Sequence, residues 1–163
     1  MQFMTMQGVA RYEILPCTLA HLRALAATLR SEDRAELIEL MGLAPRHALI
    51  ALWRASLAPR AAIVDGEVAA CWGDTAPLLS DTGSIWAFTA PPVAGLPLAF
   101  ARETQREIGG LLSSRRVLRA HVADSYHSAI RFFAMAGFSV GAPQPIGSGI
   151  YRELRIERAS SGS

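Results

Sequence analysis

Two hydrophobic periods alternate along the chain, and the switches between them mark its elements. Both occur between Arg116 and Phe138. Leu118, Ala120 and Val122 alternate with Val117, Arg119 and His121, the period of two of a strand. The period then lengthens, and Ala129, Ile130, Phe133 and Ala134 fall on one helical face. Asp124 and Ser125 offer N-cap oxygens ahead of that helix. Gly137 stands where a left-handed residue ends a helix, with Phe138 placed to fold back on the last turn.

The same pattern predicts the other elements. Val9–Leu15 reads as a strand stopped at Pro16, and Thr18 caps a helix carrying Leu22, Leu25, Ala26 and Leu29. Ser31 caps a second helix with Leu37, Ile38, Leu40 and Met41 ahead of Gly42. Pro45 opens a third, with Leu49, Ile50, Leu52, Trp53 and Leu57, ending before Pro59. Arg60–Val64 and Glu67–Gly73 are strands joined by the two-residue turn Asp65-Gly66. After an irregular connection over 74–83, Ser84–Thr89 is a strand broken by the run Pro91-Pro92-Val93-Ala94-Gly95. Pro97 suits the first turn of a long helix towards Leu112. Past the central stretch come residues 139–142, a Pro/Gly-rich turn over 143–149 and a final strand Ile150–Ile156. The order is strand, helices, three strands, long helix, strand, short helix, two strands. It predicts one α/β (α+β) domain over 9–156, with a loose leader over 1–8 and a disordered tail over 157–163.

Composition narrows the class. With 163 residues, 51% of them hydrophobic and 18% charged, the chain builds a sizeable core and is not a disordered one. No apolar run reaches the roughly 18 residues of a membrane span. The start, Met-Gln-Phe-Met-Thr-Met-Gln-Gly, lacks the basic-then-apolar layout of a secretory signal, so a cytoplasmic protein is expected. Net charge is +2, and its arginines are dispersed, so no nucleic-acid partner is expected. Cys17 and Cys71 have no CxxC partner and read as buried free thiols, neither a disulfide framework nor a zinc site.

The segment Ala129-Ile130-x-x-Phe133-x-x-x-Gly137-Phe138 resembles the C-terminal motif of the GNAT N-acetyltransferase superfamily, usually Asn-x-x-Ala-x-x-x-Tyr-x-x-x-Gly-Phe. Over residues 9 to 156 the chain also resembles the small phage internal virion (core) protein A family, which carries this fold. The resemblance implies a GNAT-like fold, a mixed, mostly antiparallel central sheet flanked by helices. It also implies acetyl-CoA as cofactor, direct attack by an amine, and an origin in a phage or prophage.

Several site residues follow from that resemblance. Pantetheine would meet the strand end at Phe88, Thr89 and Ala90. The pyrophosphate would meet the loop and helix start at Val93, Ala94, Gly95, Leu96, Leu98 and Ala99, with Arg102 one turn inside. His127 and Phe133 would lie against the cofactor. For proton transfer the candidates are Glu67, Asp74, His121 and Tyr126.

The chain departs from the family pattern in three places. Gly95 is the only glycine of the loop, and Pro97 has no N–H to donate. Tyr126 occupies the Asn slot. Phe133 occupies the Tyr slot and has no proton to give.

Plainer accounts stand beside each assignment: Glu67 as a solvated strand end, Arg102 as a solvated helix residue, Phe133 as core, Tyr126 as a part-buried loop residue. The His121-x-x-Asp124-x-x-His127 spacing reads more simply as polar edges and a helix cap than as a metal site, and no metal is expected. Enzyme status is therefore open. One reading is an acetyltransferase acting on a small-molecule or protein amine. The other is a non-catalytic, virion-associated protein that binds a phage or host protein. Neither involves a membrane, and a homodimer is compatible with both.

Overall fold

The computed structural model describes residues 11–29 and 31–160, without the side chains of Glu32 and Leu40. The expected leader lies outside the described residues. Eight strands form one sheet in the order β1-β2-β3-β4-β5-β8-β6, with β7 paired to β8. The strands are β1 (Tyr12–Pro16), β2 (Leu57–Val64), β3 (Glu67–Asp74), β4 (Thr82–Thr89), β5 (Val117–Ala123), β6 (Ser139–Val140), β7 (Gln144–Ile146) and β8 (Gly149–Glu157). The helices are α1 (Leu19–Thr28), α2 (Ser31–Met41), α3 (Pro45–Ala55), α4 (Leu98–Leu111) and α5 (His127–Met135). Every strand pair is antiparallel except β4 with β5. Among the described residues no helix is long and apolar enough to cross a membrane.

Local chemistry explains most boundaries. Thr18 and His21 form a reciprocal capping box at the start of α1. Asp65 and Gly66 both have positive φ, +48° and +82°, the geometry of a hairpin turn that matches strand twist. At the end of α5 the Phe138 amide donates to the Phe133 carbonyl and the Gly137 amide to the Ala134 carbonyl. With Gly137 at φ +106°, this is a Schellman motif. The Phe133 and Phe138 rings then meet edge to face at 5.1 Å, the apolar contact that accompanies the motif.

Several boundaries differ from the sequence reading, and four have a clear physical reason or consequence. Leu57 belongs to β2, not α3, because a bulge between Leu57 and Arg60, with Ala58 at φ +46°, lets Pro59 sit inside the strand. Asp124 and Ser125 do not cap α5; Tyr126 holds the N-cap position without a side-chain cap, and Asp124 pairs with Arg152 at 2.6 Å. The Pro/Gly-rich turn contains β7, which forms a hairpin with β8. Glu157 ends β8 rather than starting a tail, and the Arg158 amide still donates to the Arg116 carbonyl.

The two faces of the sheet carry different helices. Trp72 contacts Phe100 of α4 and Phe132 of α5, so it and its cross-strand partner Ala87 face that layer. Trp86 points the other way, its indole N–H donating to Ser56 at the end of α3. Cys17 and Cys71 are both buried free thiols.

The β4–β5 pair organises the site. It is held for three residues only, Thr82 to Ser84 against Val117 to Arg119. At that closed end Gly83 lets the strands approach: a Cβ there would come within 2.5 Å of Leu118 Cδ2. A buried ion pair clamps the same end. Asp74 Oδ2 accepts from Arg115 Nε at 3.0 Å, and Asp74 Oδ1 accepts from the amides of Ala76 and Ser84. Arg115 also donates to the carbonyls of Ala76, Pro77 and Ser80. Beyond Ser84 the strands part.

Candidate active site

Alternate residues of a strand turn their peptide groups to the same side. The Ala90 amide bonds back to Ala69 on the β3 side, whereas the Thr89 amide points into the gap. Ala87, two residues earlier, therefore also presents its N–H and C=O to the gap.

Two side chains occupy the parted strands. The Tyr126 hydroxyl accepts from the Thr89 amide at 3.0 Å and lies 3.1 Å from Thr89 Oγ1, which lies 3.1 Å from Ser128 Oγ. Across the gap, Glu36 Oε1 accepts from the Ala123 amide on β5 at 3.1 Å. Each flanking strand thus has one free edge amide satisfied by a titratable side chain. Glu36 is only 8% exposed. Burial pushes its carboxyl up to about 7, against the Ala123 hydrogen bond and helped by the charges of Asp33 and Glu39. Burial also raises the Tyr126 phenol, as does the charge of Asp33, buried one turn before Glu36 on α2. At neutral pH Tyr126 is a proton donor, and Glu36 divides between its acid and base forms.

A cavity lies on each side of this partition. The first, about 710 Å³, is lined by Thr89, Ala90 and the 3₁₀ turn after β4 on one wall and by Ser128, Arg131 and Phe132 of α5 on the other. The second, about 260 Å³, lies among α2, α3, β4 and β5 and includes Glu36, Phe88, His121 and Phe133. Sequence neighbours divide between them: Thr89 and Phe132 line the first cavity, Phe88 and Phe133 the second. The end of β4 and helix α5 therefore stand between the two cavities, beside the gap.

Several residues named from the sequence do line these spaces. Thr89, Ala90, Val93, Ala94 and Leu96 line the first cavity, and Phe88, His121 and Phe133 the second. Leu98 and Ala99 open α4 and Arg102 stands one turn inside it, past the lining; the amides of Leu98 and Ala99 are ones that no intrahelical carbonyl can reach. Gly95 has open space around it, so the loop makes no close approach that demands a glycine. His127 is exposed at the start of α5 and lines neither cavity.

Three assignments need correction. Asp74 is committed to Arg115 at the closed end, where it pairs with Ile85, four residues and about 13 Å along β4 from Thr89. Glu67 is exposed at the β2–β3 turn and lines neither cavity. Phe133 is 1% exposed and held by its Schellman contact, on the second cavity rather than the first.

Sequence reasoning missed Glu36 and Arg131. Arg131 is the cation in the lining of the first cavity, and helical periodicity alone presents it as a solvated residue of α5. Glu36 looks like an ordinary polar position of an amphipathic helix. Nothing local to α2 shows that its carboxyl reaches β5.

No family model matches the chain, and no curated protein matches it. Solved structures do. A GNAT-family acetyltransferase from Streptococcus pneumoniae is 15% identical with a TM-score of 0.60, covering 91% of this chain and 100% of that one. An aminoglycoside acetyltransferase in complex with coenzyme A and kanamycin is 15% identical with a TM-score of 0.58, covering 91% and 95%. The ribosomal L7/L12 alpha-N-protein acetyltransferase RimL, in complex with coenzyme A, is 10% identical with a TM-score of 0.60, covering 90% and 93%. At these identities the likeness establishes the fold: the chain has the GNAT acetyltransferase fold.

Proposed function

We propose that this protein is an N-acyltransferase that moves an acetyl group from acetyl-CoA to an amine across the open β4–β5 gap. The observation that carries the proposal is a cavity on either side of the β4 end, with the Tyr126 phenol bonded to Thr89 of the first and the Glu36 carboxyl in the lining of the second.

The first cavity suits the cofactor. The Thr89 carbonyl in its lining can pair with a pantetheine amide, as can the gap-facing peptide groups of Ala87, which lies on the second cavity. Arg131, Ser128 and the amides at the start of α4 supply anion donors near the mouth. Pro97 removes one donor from that cradle, so Arg131 carries more of the phosphate charge than Arg102.

When bound, acetyl-CoA supplies an activated thioester. Glu36, as carboxylate, would be the base that takes a proton from the acceptor nitrogen. Tyr126 would be the phenolic proton donor for the departing sulfur, the task that Phe133 cannot perform. Thr89 Oγ1 and Ser128 Oγ form a hydroxyl chain from Tyr126 to the first cavity, a route by which that proton is replaced.

A second reading is favoured by one specific observation. Tyr126 already satisfies the Thr89 amide, a group a cofactor would use. Together with Phe133 and the family resemblance, this supports a non-catalytic GNAT-fold protein of phage or prophage origin that acts in virion assembly or binds a host protein.

Calorimetric titration with acetyl-CoA, with CoA as comparison, separates the two. Saturable one-to-one binding, weakened by Arg131→Glu, is expected for the transferase. Absence of binding up to millimolar cofactor leaves the second reading, which predicts the protein among the components of purified virions by mass spectrometry.

A further inference from the structure

We infer that the second cavity selects a primary amine carried on a compact apolar or aromatic body, with Glu36 receiving its ammonium group. This rests on the proposed transferase reading and adds the acceptor class to it.

The lining decides the class. Leu37, Leu52, Ile85, Trp86, Phe88 and Phe133 supply aliphatic and aromatic walls, and Glu36 and His121 are the lining residues with titratable side chains. At about 260 Å³ the space falls below the roughly 300–1,000 Å³ of drug-sized ligand sites. A sugar or an extended peptide would place most of its hydroxyls or amides against these apolar walls without partners, which costs binding. An arylalkylamine places a ring among Trp86, Phe88 and Phe133 and leaves one polar group to satisfy.

Position decides the orientation. The Glu36 carboxylate lies at the gap, hydrogen-bonded to β5. His121 is half-exposed, with Glu153 Oε2 3.8 Å from its Nε2, and so marks the outer mouth. An ammonium on Glu36 therefore sits at the β4–β5 gap, and the apolar body trails towards Leu52 of α3. An ammonium also offsets the cost of keeping Glu36 ionised in an apolar surround.

The test is direct binding to the whole protein, by calorimetry or quenching of Trp86 fluorescence. The probes are 2-phenylethylamine, glucosamine and 2-phenylethanol. Phenylethylamine is expected to bind at least tenfold tighter than either of the others. Glu36→Gln, which keeps an oxygen for the Ala123 amide, should weaken the amine about tenfold and leave the alcohol unchanged. Leu52→Trp, at a half-buried wall position, should abolish phenylethylamine binding with an unchanged melting temperature. Equal or tighter binding of glucosamine, or indifference to both substitutions, overturns the inference.

Acetyl-CoA titrated into the same samples reports the underlying reading separately. Cofactor binding without amine binding defeats the acceptor assignment alone. Amine binding without cofactor binding defeats the transferase and leaves the cavity's selectivity standing.

Discussion

The hydroxyl of Tyr126 accepts a hydrogen bond from the backbone amide of Thr89 at 3.0 Å, joining the loop before α5 to the last residue of β4. Strand pairing ends at Ser84, and beyond it this bond and its counterpart, the Ala123 amide donating to Glu36, each satisfy one donor of the parted edges. An edge that is neither paired nor solvated leaves donors unmet, and two side chains meet that need where the chemistry is proposed.

Tyr126→Phe removes one acceptor from a buried amide. The expected loss is about 1–3 kcal/mol of stability, read by urea denaturation. If Tyr126 protonates the departing sulfur, the same variant loses about 10²–10⁴-fold in turnover while binding acetyl-CoA at least as well, since the Thr89 amide is freed. Unchanged turnover in single-cycle kinetics rules out the proton-donor role.

Glu36 gives stability a definite pH dependence. The unfolded chain loses this proton near 4.5, whereas the folded protein keeps it to about 7. Across that window the folded state binds more protons, so this group's contribution to stability falls as pH rises, by on the order of 3 kcal/mol in total. Thermal melts of wild type and Glu36→Gln should therefore diverge with pH, the variant gaining relative stability between about pH 4.5 and 7 and holding that gain above it. Acetyl transfer should rise through the same range as the base form appears. Parallel melting curves would count against both statements.

Asp74→Ala leaves the guanidinium of Arg115 buried, with both side chains 2% exposed in the intact pair. Breaking such a pair costs about 3–5 kcal/mol. Denaturant titration should show this loss, and acetyl-CoA binding by the variant that remains folded should persist, because Asp74 lies at the closed end of the gap. A selective loss of turnover with full stability would restore Asp74 as a catalytic candidate.

The two arginines near the proposed phosphate site separate by charge reversal. Arg131→Glu, in the cavity lining, should weaken acetyl-CoA at least tenfold, whereas Arg102→Glu, past the lining, should have a smaller effect. The reverse order in parallel titrations would move the phosphates to the face of α4.

Local patterns were enough to determine most elements of this protein. The Asp65-Gly66 turn, the Thr18 cap, the alternation in β5 and the Gly137-Phe138 helix exit each depend on residues a few positions apart. Their order along the chain was sufficient for a mixed sheet flanked by helices. Local pattern misled where a tertiary partner competed: Asp124 turned from capping α5 to Arg152, and a bulge admitted Pro59 into β2.

The site itself was decided by tertiary structure. The β4–β5 gap exists because Gly83 and the Asp74–Arg115 clamp hold one end while nothing pairs the other. Glu36 reaches Ala123 across 87 positions of sequence, and Tyr126 reaches Thr89 across 37. The altered carboxyl of Glu36 comes from burial that helical periodicity cannot report. Such contacts depend on how distant segments pack, so a single sequence shows the residue types but not their meeting place.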